Sequence, residues 1–238
     1  MNTQILQSDA LKTVPPRKVS EELQKTVREC ETCTTLDNLC DRCRTINVIK
    51  RRYANANIPI SYWYLKMEDF KGPADLKKKY DIISSDLENT YDNGTCICFA
   101  GSHGIGKSMV VTNILKSALA KGYQCLYTTL GDVVATAVSN SADKYIARKE
   151  LMMVDFLVID EFDGRHMTAG AGADLFGRQL EDVFRRRAEN NLPLFMCTNS
   201  PNVLDSFEGP IKKSIESLMS YAEIVPVLGK DYRKVKNG

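Results

Sequence analysis

The chain has 238 residues, of which 43% are hydrophobic and 26% charged, proportions typical of a globular protein. Its 32 basic residues nearly balance its 30 acidic residues, so the net charge of +2 neither favours nor excludes a nucleic-acid partner. No run of about 18 apolar residues predicts a transmembrane helix or a membrane partner, and the N-terminus lacks the apolar core of a secretory signal. We therefore expect a soluble cytoplasmic protein.

The N-terminal part of the chain is polar, and we expect an arm followed by one helix within residues 1–29. The helix is predicted to begin at Ser20, because Glu21 and Glu22 follow it and acidic side chains favour a helix N-terminus. A basic linker is predicted somewhere between Arg44 and Pro59. Residues 1–55 would then form the arm, a four-cysteine module and the linker, and residues 56–238 one large domain.

Four of the eight cysteines fall in one short run with the spacing C-x2-C-x6-C-x2-C. They are Cys30, Cys33, Cys40 and Cys43. Two C-x2-C pairs suit tetrahedral Zn²⁺, and a segment with so few apolar side chains needs a metal to fold. Two redox pairs and an iron–sulfur cluster remain as alternatives. The other cysteines, Cys96, Cys98, Cys125 and Cys197, lie in apolar runs and are predicted to be buried.

Beyond residue 95 the chain alternates between short apolar strands and helices. A helical segment that leads to the first strand is predicted over residues 72–93. Strands are predicted over 95–100, 124–128, 156–160 and 194–198. Helices are predicted after the first strand, where Val110, Ile114 and Leu115 keep helical spacing, and over residues 174–190. This alternation predicts an α/β fold, with a parallel sheet covered by helices on both faces.

A glycine-rich loop joins the first of these strands to its helix. Its G-x4-G-K-S sequence comprises Gly101, Ser102, His103, Gly104, Ile105, Gly106, Lys107 and Ser108. In such a loop the backbone N–H groups surround phosphates at the positive end of the following helix. Lys107 is expected to neutralise the β/γ oxygens, and the Ser108 hydroxyl to bind Mg²⁺. The loop therefore predicts a nucleotide site rather than a simple turn.

Three polar residues follow two of the apolar strands. Asp160 and Glu161 come at the end of FLVI, and Asn199 follows LFMCT. The carboxyl ends of parallel strands meet at the edge where the phosphate loop lies. Asp160 is expected in the Mg²⁺ shell, Glu161 as the base that activates water, and Asn199 as a group that orients the water or contacts the γ-phosphate. This set predicts hydrolysis of ATP rather than phosphoryl transfer to a metabolite.

Basic groups with aromatic neighbours are typical of single-stranded nucleic-acid sites. The candidates are Lys50, Arg51 and Arg52 beside Tyr53, and the loop of Gly164, Arg165, His166 and Met167. The aromatic residues at 62–64 are interpreted instead as packing against the N-terminal module or the adenine end of the nucleotide.

Four motifs resemble those of the DnaC/IstB family of AAA+ ATPases, which comprises replicative helicase loaders and transposition helpers. They are GSHGIGKS at 101–108, FLVIDE at 156–161, LFMCTNS at 194–200 and GKDYR at 229–233. Residues 51–59 resemble the segment before the ATPase core in that family, and the cysteine module is similar to the helicase-binding domain of the loaders. The resemblance covers about residues 20–235.

The resemblance implies an AAA+ fold with ATP as substrate, a DnaB-like hexameric helicase as partner, single-stranded DNA as second ligand and a homo-oligomer in the ATP-bound assembly. If the protein is phage-encoded, its location would be the host cytoplasm. One alternative is an IstB-like transposition helper, distinguished by whether residues 1–50 bind a helicase or a transposase. A second is a zinc adaptor with a non-hydrolytic nucleotide switch, which would have no need of Glu161.

The chain departs from the family where arginines precede the final strand, one of which reaches the neighbouring subunit's ATP. Here Lys213 and Ser217 stand near those positions. A lysine supplies charge but not the planar guanidinium fork. Candidate substitutes are Arg185, Arg186, Arg187 and Arg233. For residues 185–187 the preferred interpretation is a solvated helix face paired with Glu181 and Asp182.

Overall fold

Helices and parallel strands alternate through most of the computed structural model, which describes residues 11–138, 143–164 and 171–232. The helices are α1 (Pro16–Arg28), α2 (Asp41–Asn55), α3 (Ala74–Ser85), α4 (Leu87–Asp92), α5 (Lys107–Lys121), α6 (Leu130–Val138), α7 (Asp143–Met153), α8 (Ala171–Glu189) and α9 (Pro210–Met219). The strands are β1 (Cys96–Ala100), β2 (Cys125–Thr129), β3 (Phe156–Asp160), β4 (Leu194–Thr198) and β5 (Glu223–Pro226).

The strands form one parallel sheet in the order β2-β3-β4-β1-β5. Alternate side chains face opposite sides, so Phe156 and Val158 pack towards α5 while Leu157 and Ile159 pack towards α6–α9. Apolar cores therefore lie on both faces of the sheet. The predicted fold class, a parallel sheet covered on both faces, is confirmed.

The predicted element boundaries differ from the observed ones by a few residues. The strands at 156–160 and 194–198 have the predicted bounds, whereas β1 and β2 each begin one residue later than predicted. The helical segment predicted over 72–93 is two helices, because the chain breaks at Asp86. There the Asp86 side chain accepts a 3.1 Å hydrogen bond from the backbone N–H of Asn89 and caps α4.

The N-terminal helices differ more from the prediction. Helix α1 begins at Pro16, four residues before Ser20, because proline favours the first turn of a helix. Within the range predicted to contain a linker, α2 runs without interruption from the cysteine cluster to Asn55, so only residues 56–59 of that range lie beyond the helix. Beyond α2, Ile58 and Trp63 are buried in the core that also contains α5. A domain boundary near residue 55 stays a prediction.

Lys50 does not lie on a basic surface, which corrects its assignment as a nucleic-acid contact. Its side chain is only 7% exposed, and its ammonium donates hydrogen bonds to the Glu22 carbonyl at 2.6 Å and the Thr26 hydroxyl at 2.8 Å. The Glu22 carboxylate lies 3.5 Å away. Lys50 therefore joins α2 to α1, whereas Arg51 and Arg52 are exposed.

The three consecutive arginines of α8 have different surroundings. Arg185 pairs with Glu181 at 2.8 Å and Arg186 with Asp182 at 3.4 Å, which confirms the predicted solvated face for these two. For Arg187 that prediction is wrong, because the residue is 1% exposed. Its guanidinium donates to the backbone carbonyls of Leu151, Val154, Asp155 and Pro193. Arg187 thus donates to backbone carbonyls of the segments that precede β3 and β4. A side chain buried in this way is no candidate for a trans-acting arginine.

Some predicted features lie outside the described residues: the first ten residues of the arm, Arg165, His166 and Met167 of the basic loop, and Arg233. Within the part of the chain that the structure describes, no helix combines the length and apolar character needed to cross a membrane.

Candidate functional site

The glycine-rich loop lies between β1 and α5, as predicted. Gly104 and Gly106 have φ values of 75° and 100°, which side chains other than glycine's rarely adopt. A Cβ atom at Gly101 would lie 2.1 Å from the Val227 carbonyl oxygen, so the exit of β5 passes directly over the start of the loop. The loop therefore needs its glycines for conformation and for close packing.

The segment after β5 also touches this loop. The Tyr232 backbone N–H donates a 3.0 Å hydrogen bond to the Gly104 carbonyl. Tyr232 belongs to the GKDYR motif, for which the sequence alone indicates no position in the fold. The described part of that motif therefore lies against the phosphate loop.

Lys107 begins α5 and is buried in the loop. Its ammonium donates to the carbonyls of Gly101 and Ser102, each at 2.8 Å, and to Asn199 Oδ1 at 3.1 Å. The structure thus brings together the lysine that the sequence placed in the loop after β1 and the amide that it placed at the end of β4.

The two acidic residues point into different surroundings. Asp160 is buried and Glu161 exposed, with Glu161 at a φ of 50°. Asp160 Oδ1 accepts a 2.8 Å hydrogen bond from the Glu161 backbone N–H, and Asp160 Oδ2 accepts one of 2.7 Å from the Tyr127 hydroxyl. Asp160 is therefore held in place, while the Glu161 carboxylate faces the open side.

These groups share one open cleft of about 550 Å³, a volume in the range of small-molecule sites. The lining residues are Ser61, Tyr62, Leu65, His103, Gly104, Gly106, Lys107, Ser108, Met109, Tyr127, Asp160, Glu161 and Asn199. Gly101, Ser102 and Ile105 complete the loop, with Ile105 fully buried beneath it. The loop geometry and the carboxylates beside Ser108 fit a nucleotide polyphosphate with Mg²⁺, whose ligands are oxygen atoms.

The sequence reasoning missed Tyr127, and in the cleft wall formed by residues 61–65 it singled out only the aromatic residues and missed Ser61 and Leu65. The signal for Tyr127 is its place two residues before the carboxyl end of β2, next to β3 in the sheet. The 61–65 wall is tied to α5 by Lys116, whose ammonium donates to the carbonyls of Tyr62 and Leu65. Burial lowers the pKa of Lys116 to about 8.

The aromatic cluster at 62–64 has the predicted packing roles. Tyr62 lines the cleft, and the Trp63 indole donates a 2.8 Å hydrogen bond to the Ile58 carbonyl from a buried position. The Tyr64 ring contacts the ammonium groups of Lys25 and Lys50 on α1 and α2, at 5.2 and 5.4 Å from its centroid. Packing of this cluster against the N-terminal helices is confirmed for Tyr64, whereas a contact between Tyr62 and adenine stays a prediction.

The four clustered cysteines form a second candidate site. The Sγ atoms of Cys30, Cys33, Cys40 and Cys43 all lie within 4.8 Å of one another, and the Cys30–Cys40 pair is 3.9 Å apart. In a tetrahedral Zn–S₄ centre with bonds of about 2.3 Å, sulfur atoms are separated by about 3.8 Å. The cluster therefore has the dimensions of a zinc-binding module.

The thiols differ in their surroundings, although they would share one ion. Hydrogen bonds from Thr32 lower the pKa of Cys30 to about 6, while burial raises the pKa of Cys43 to about 12. The Cys40 backbone N–H donates a hydrogen bond to Cys33 Sγ at 3.2 Å. A coordinated Zn²⁺ deprotonates its thiols outright. The remaining cysteines are apart from this cluster. Cys98, Cys125 and Cys197 are buried as predicted, whereas Cys96 is only partly buried.

The fold and this cleft define a P-loop ATPase. Residues 97–208 match the model of the family described as ATPase family associated with various cellular activities (AAA). No curated protein matches the chain in sequence.

Solved structures of replication proteins share the fold. The structure of DnaI is similar with a TM-score of 0.58 and 16% identity, covering 73% of this chain and 93% of that one. The structure of the DnaC helicase loader is similar with a TM-score of 0.55 and 14% identity, and the match covers 71% of this chain and 100% of that one. The structure of the replication initiator DnaA bound to AMPPCP and single-stranded DNA is similar with a TM-score of 0.55 and 18% identity, and the match covers 73% of this chain and 51% of that one. The chain therefore shares its fold with these replication proteins.

Proposed function

We propose that this protein is an ATP-dependent helicase loader that acts in DNA replication. The observation that carries the proposal is the single cleft in which the phosphate loop, the acidic pair and Asn199 meet, in a chain with the fold of DnaI and DnaC. A four-cysteine cluster, formed by the segment between α1 and α2 and by the first turn of α2, lies outside that cleft and would supply a second surface for a partner.

ATP binding would begin at the phosphate loop. With Gly104 and Gly106 at positive φ, the loop can curl around the phosphates at the N-terminus of α5, where the helix dipole favours negative charge. Lys107 would exchange its contacts with loop carbonyls for the β/γ oxygens. The adenine base of ATP would lie towards the wall of the cleft that contains Tyr62 and Leu65.

Hydrolysis would use the carboxyl ends of β3 and β4. Ser108 and Asp160 would hold Mg²⁺, which neutralises charge on the phosphates when bound. Glu161, exposed beside the cleft, would accept a proton from the attacking water. Asn199 would orient that water or contact the γ-phosphate. The AAA-family match favours this hydrolytic role over a zinc adaptor with a passive nucleotide switch.

The partner surfaces are assigned by separate arguments. The cysteine module would hold Zn²⁺ and recruit a DnaB-like hexameric helicase, as the resemblance to loaders implies. The ATPase core would bind single-stranded DNA as an ATP-dependent homo-oligomer, a proposal supported by the fold shared with a DnaA solved with single-stranded DNA. Exposed Arg51 and Arg52 are the described candidates for phosphate contacts.

The test is an assembly measurement with the full chain. The protein, ATP, fluorescent single-stranded DNA and the replicative helicase of the same source are mixed and separated by size-exclusion chromatography with light scattering. We expect a complex that contains the helicase ring, and its loss both with Lys107→Ala and with Cys40→Ser. Capture of a transposase in place of the helicase would assign the protein to the IstB-like transposition helpers instead.

A further inference from the structure

Tyr127 joins the edge strand of the sheet to the acidic pair in the cleft. From β2 its hydroxyl reaches the last residue of the neighbouring strand β3 and donates the 2.7 Å hydrogen bond to Asp160 Oδ2. Both side chains are buried, and both line the cleft with Lys107 and Ser108. The hydroxyl thus contacts the carboxylate that the proposed function assigns to the Mg²⁺ shell.

Each oxygen of the Asp160 carboxylate accepts one hydrogen bond. The Glu161 backbone N–H holds Oδ1, and the Tyr127 hydroxyl holds Oδ2. With both oxygens engaged, rotation of the carboxylate about its terminal bond would break both hydrogen bonds. The Tyr127 hydroxyl is the donor in this hydrogen bond, because an ionised carboxylate oxygen can only accept.

The backbone of Tyr127 is fixed as well, although β2 lies at the edge of the sheet. Its N–H donates to the Ala56 carbonyl at 2.8 Å, and its carbonyl accepts from Asn57 Nδ2 at 3.0 Å. Asn57 is 1% exposed with a φ of 56°, and its side chain also binds the backbone of residues 11–14. The segment that follows α2 therefore holds Tyr127 from outside the sheet, while the ring holds Asp160 inside the cleft.

We propose that Tyr127 is a positioning residue that fixes the Asp160 carboxylate for Mg²⁺. The inference rests on the role of Asp160 in the proposed function. A tyrosine that only filled the core could satisfy its hydroxyl with any nearby carbonyl. Here the acceptor is the carboxylate beside the phosphate loop. Outer partners of this kind orient metal ligands, and their removal typically weakens metal affinity by about 10–100-fold.

The experiment compares Tyr127→Phe with the wild type in two titrations. The first is the affinity for a fluorescent ATP analogue in EDTA, and the second is the Mg²⁺ concentration that gives half of the Mg²⁺-dependent gain in affinity. We expect affinity in EDTA within about twofold of wild type and a half-saturating Mg²⁺ concentration raised about tenfold. The ATPase kcat should return close to wild type at saturating Mg²⁺. Tyr80→Phe is the control, because it removes a hydroxyl that contacts Ser117 away from the cleft.

A double-mutant comparison separates positioning from damage to the fold. In an Asp160→Asn background, adding Tyr127→Phe should change the Mg²⁺ dependence no further, because the group being positioned is already absent. An unchanged half-saturating Mg²⁺ concentration in Tyr127→Phe overturns the inference, as does an equal loss of affinity in EDTA. If Asp160→Asn itself leaves the Mg²⁺ dependence intact, Asp160 does not bind Mg²⁺. That result would overturn the role that the proposed function gives to Asp160, and with it the positioning role of Tyr127.

Discussion

The Lys107 ammonium lies 3.1 Å from Asn199 Oδ1, although the two residues are 92 positions apart in the chain. They meet because β1 and β4 are parallel neighbours, so the loop after β1 and the residue after β4 leave the sheet at the same edge. A phosphate that reaches Lys107 is therefore also within reach of Asn199. This relationship places the groups proposed to bind and to sense the γ-phosphate around one position.

Nucleotide binding and hydrolysis should separate in two variants. Lys107→Ala should abolish ATP binding, because it removes the charge that neutralises the phosphates. Glu161→Gln should bind ATP but lower kcat by about 10²–10⁴, as expected when a general base is removed. Binding is measured with a fluorescent analogue and hydrolysis by phosphate release, with Lys121→Ala at the exposed end of α5 as control. Wild-type turnover in Glu161→Gln would remove this residue from the mechanism.

The cysteine cluster should bind one metal ion. Purified protein should carry about one Zn²⁺ per chain, and Cys40→Ser should lose it because the tetrahedral set becomes incomplete. Metal content is measured by elemental analysis, and the loss should destabilise α1 and α2 while nucleotide binding persists. The matched control is Cys96→Ser, outside the cluster. Full zinc content in Cys40→Ser would exclude Cys40 as a ligand.

The basic residues of α2 should divide by their burial. Replacing Arg51 and Arg52 with alanine should flatten the salt dependence of single-stranded DNA binding, by a slope of about 0.7 for each phosphate that is no longer neutralised. The control replaces exposed Lys78 and Lys121, which removes the same charge elsewhere. An unchanged slope in the Arg51 and Arg52 variant would assign both to a solvated face.

Lys50→Ala should act on stability instead. Its buried ammonium bonds to Glu22 and Thr26, so we expect a decrease of about 2–3 kcal/mol in the free energy of unfolding. The salt slope for DNA should remain that of wild type. A changed slope with unchanged stability would place Lys50 at the DNA after all.

Asn57 offers a test of the contact between the N-terminal arm and β2. Asn57→Gly keeps the positive φ but removes the side-chain hydrogen bonds, and should lower the free energy of unfolding by about 2–4 kcal/mol. Asn57→Ala should cost about 1–2 kcal/mol more, because a Cβ atom strains the left-handed conformation. Urea denaturation measures both. Equal stability of the two variants would show that the backbone relaxes when the side chain is removed.

The sequence predicted much of the ATPase core because its signals are local. The glycine loop, FLVID and LFMCT each carry their strand or turn in consecutive residues, and the bounds of β3 and β4 match the prediction. The predicted exposure was wrong where a charged side chain is buried by residues that are distant in the sequence. Lys50 and Arg187 look like surface residues in sequence, yet each is surrounded by acceptors from other segments of the chain.

By itself, the sequence determined the parallel α/β fold, the phosphate loop and the spacing of the four cysteines, because periodicity and short motifs encode them within a few residues. Only the tertiary structure decided that α2 continues from the cysteine cluster to the edge of the sheet, and that Tyr127 grips Asp160 while Asn57 fixes the backbone of Tyr127. These contacts join residues 33 and 70 positions apart. They depend on the order of strands in the sheet and on which side chains face each other across it, and no local pattern in the sequence specifies either.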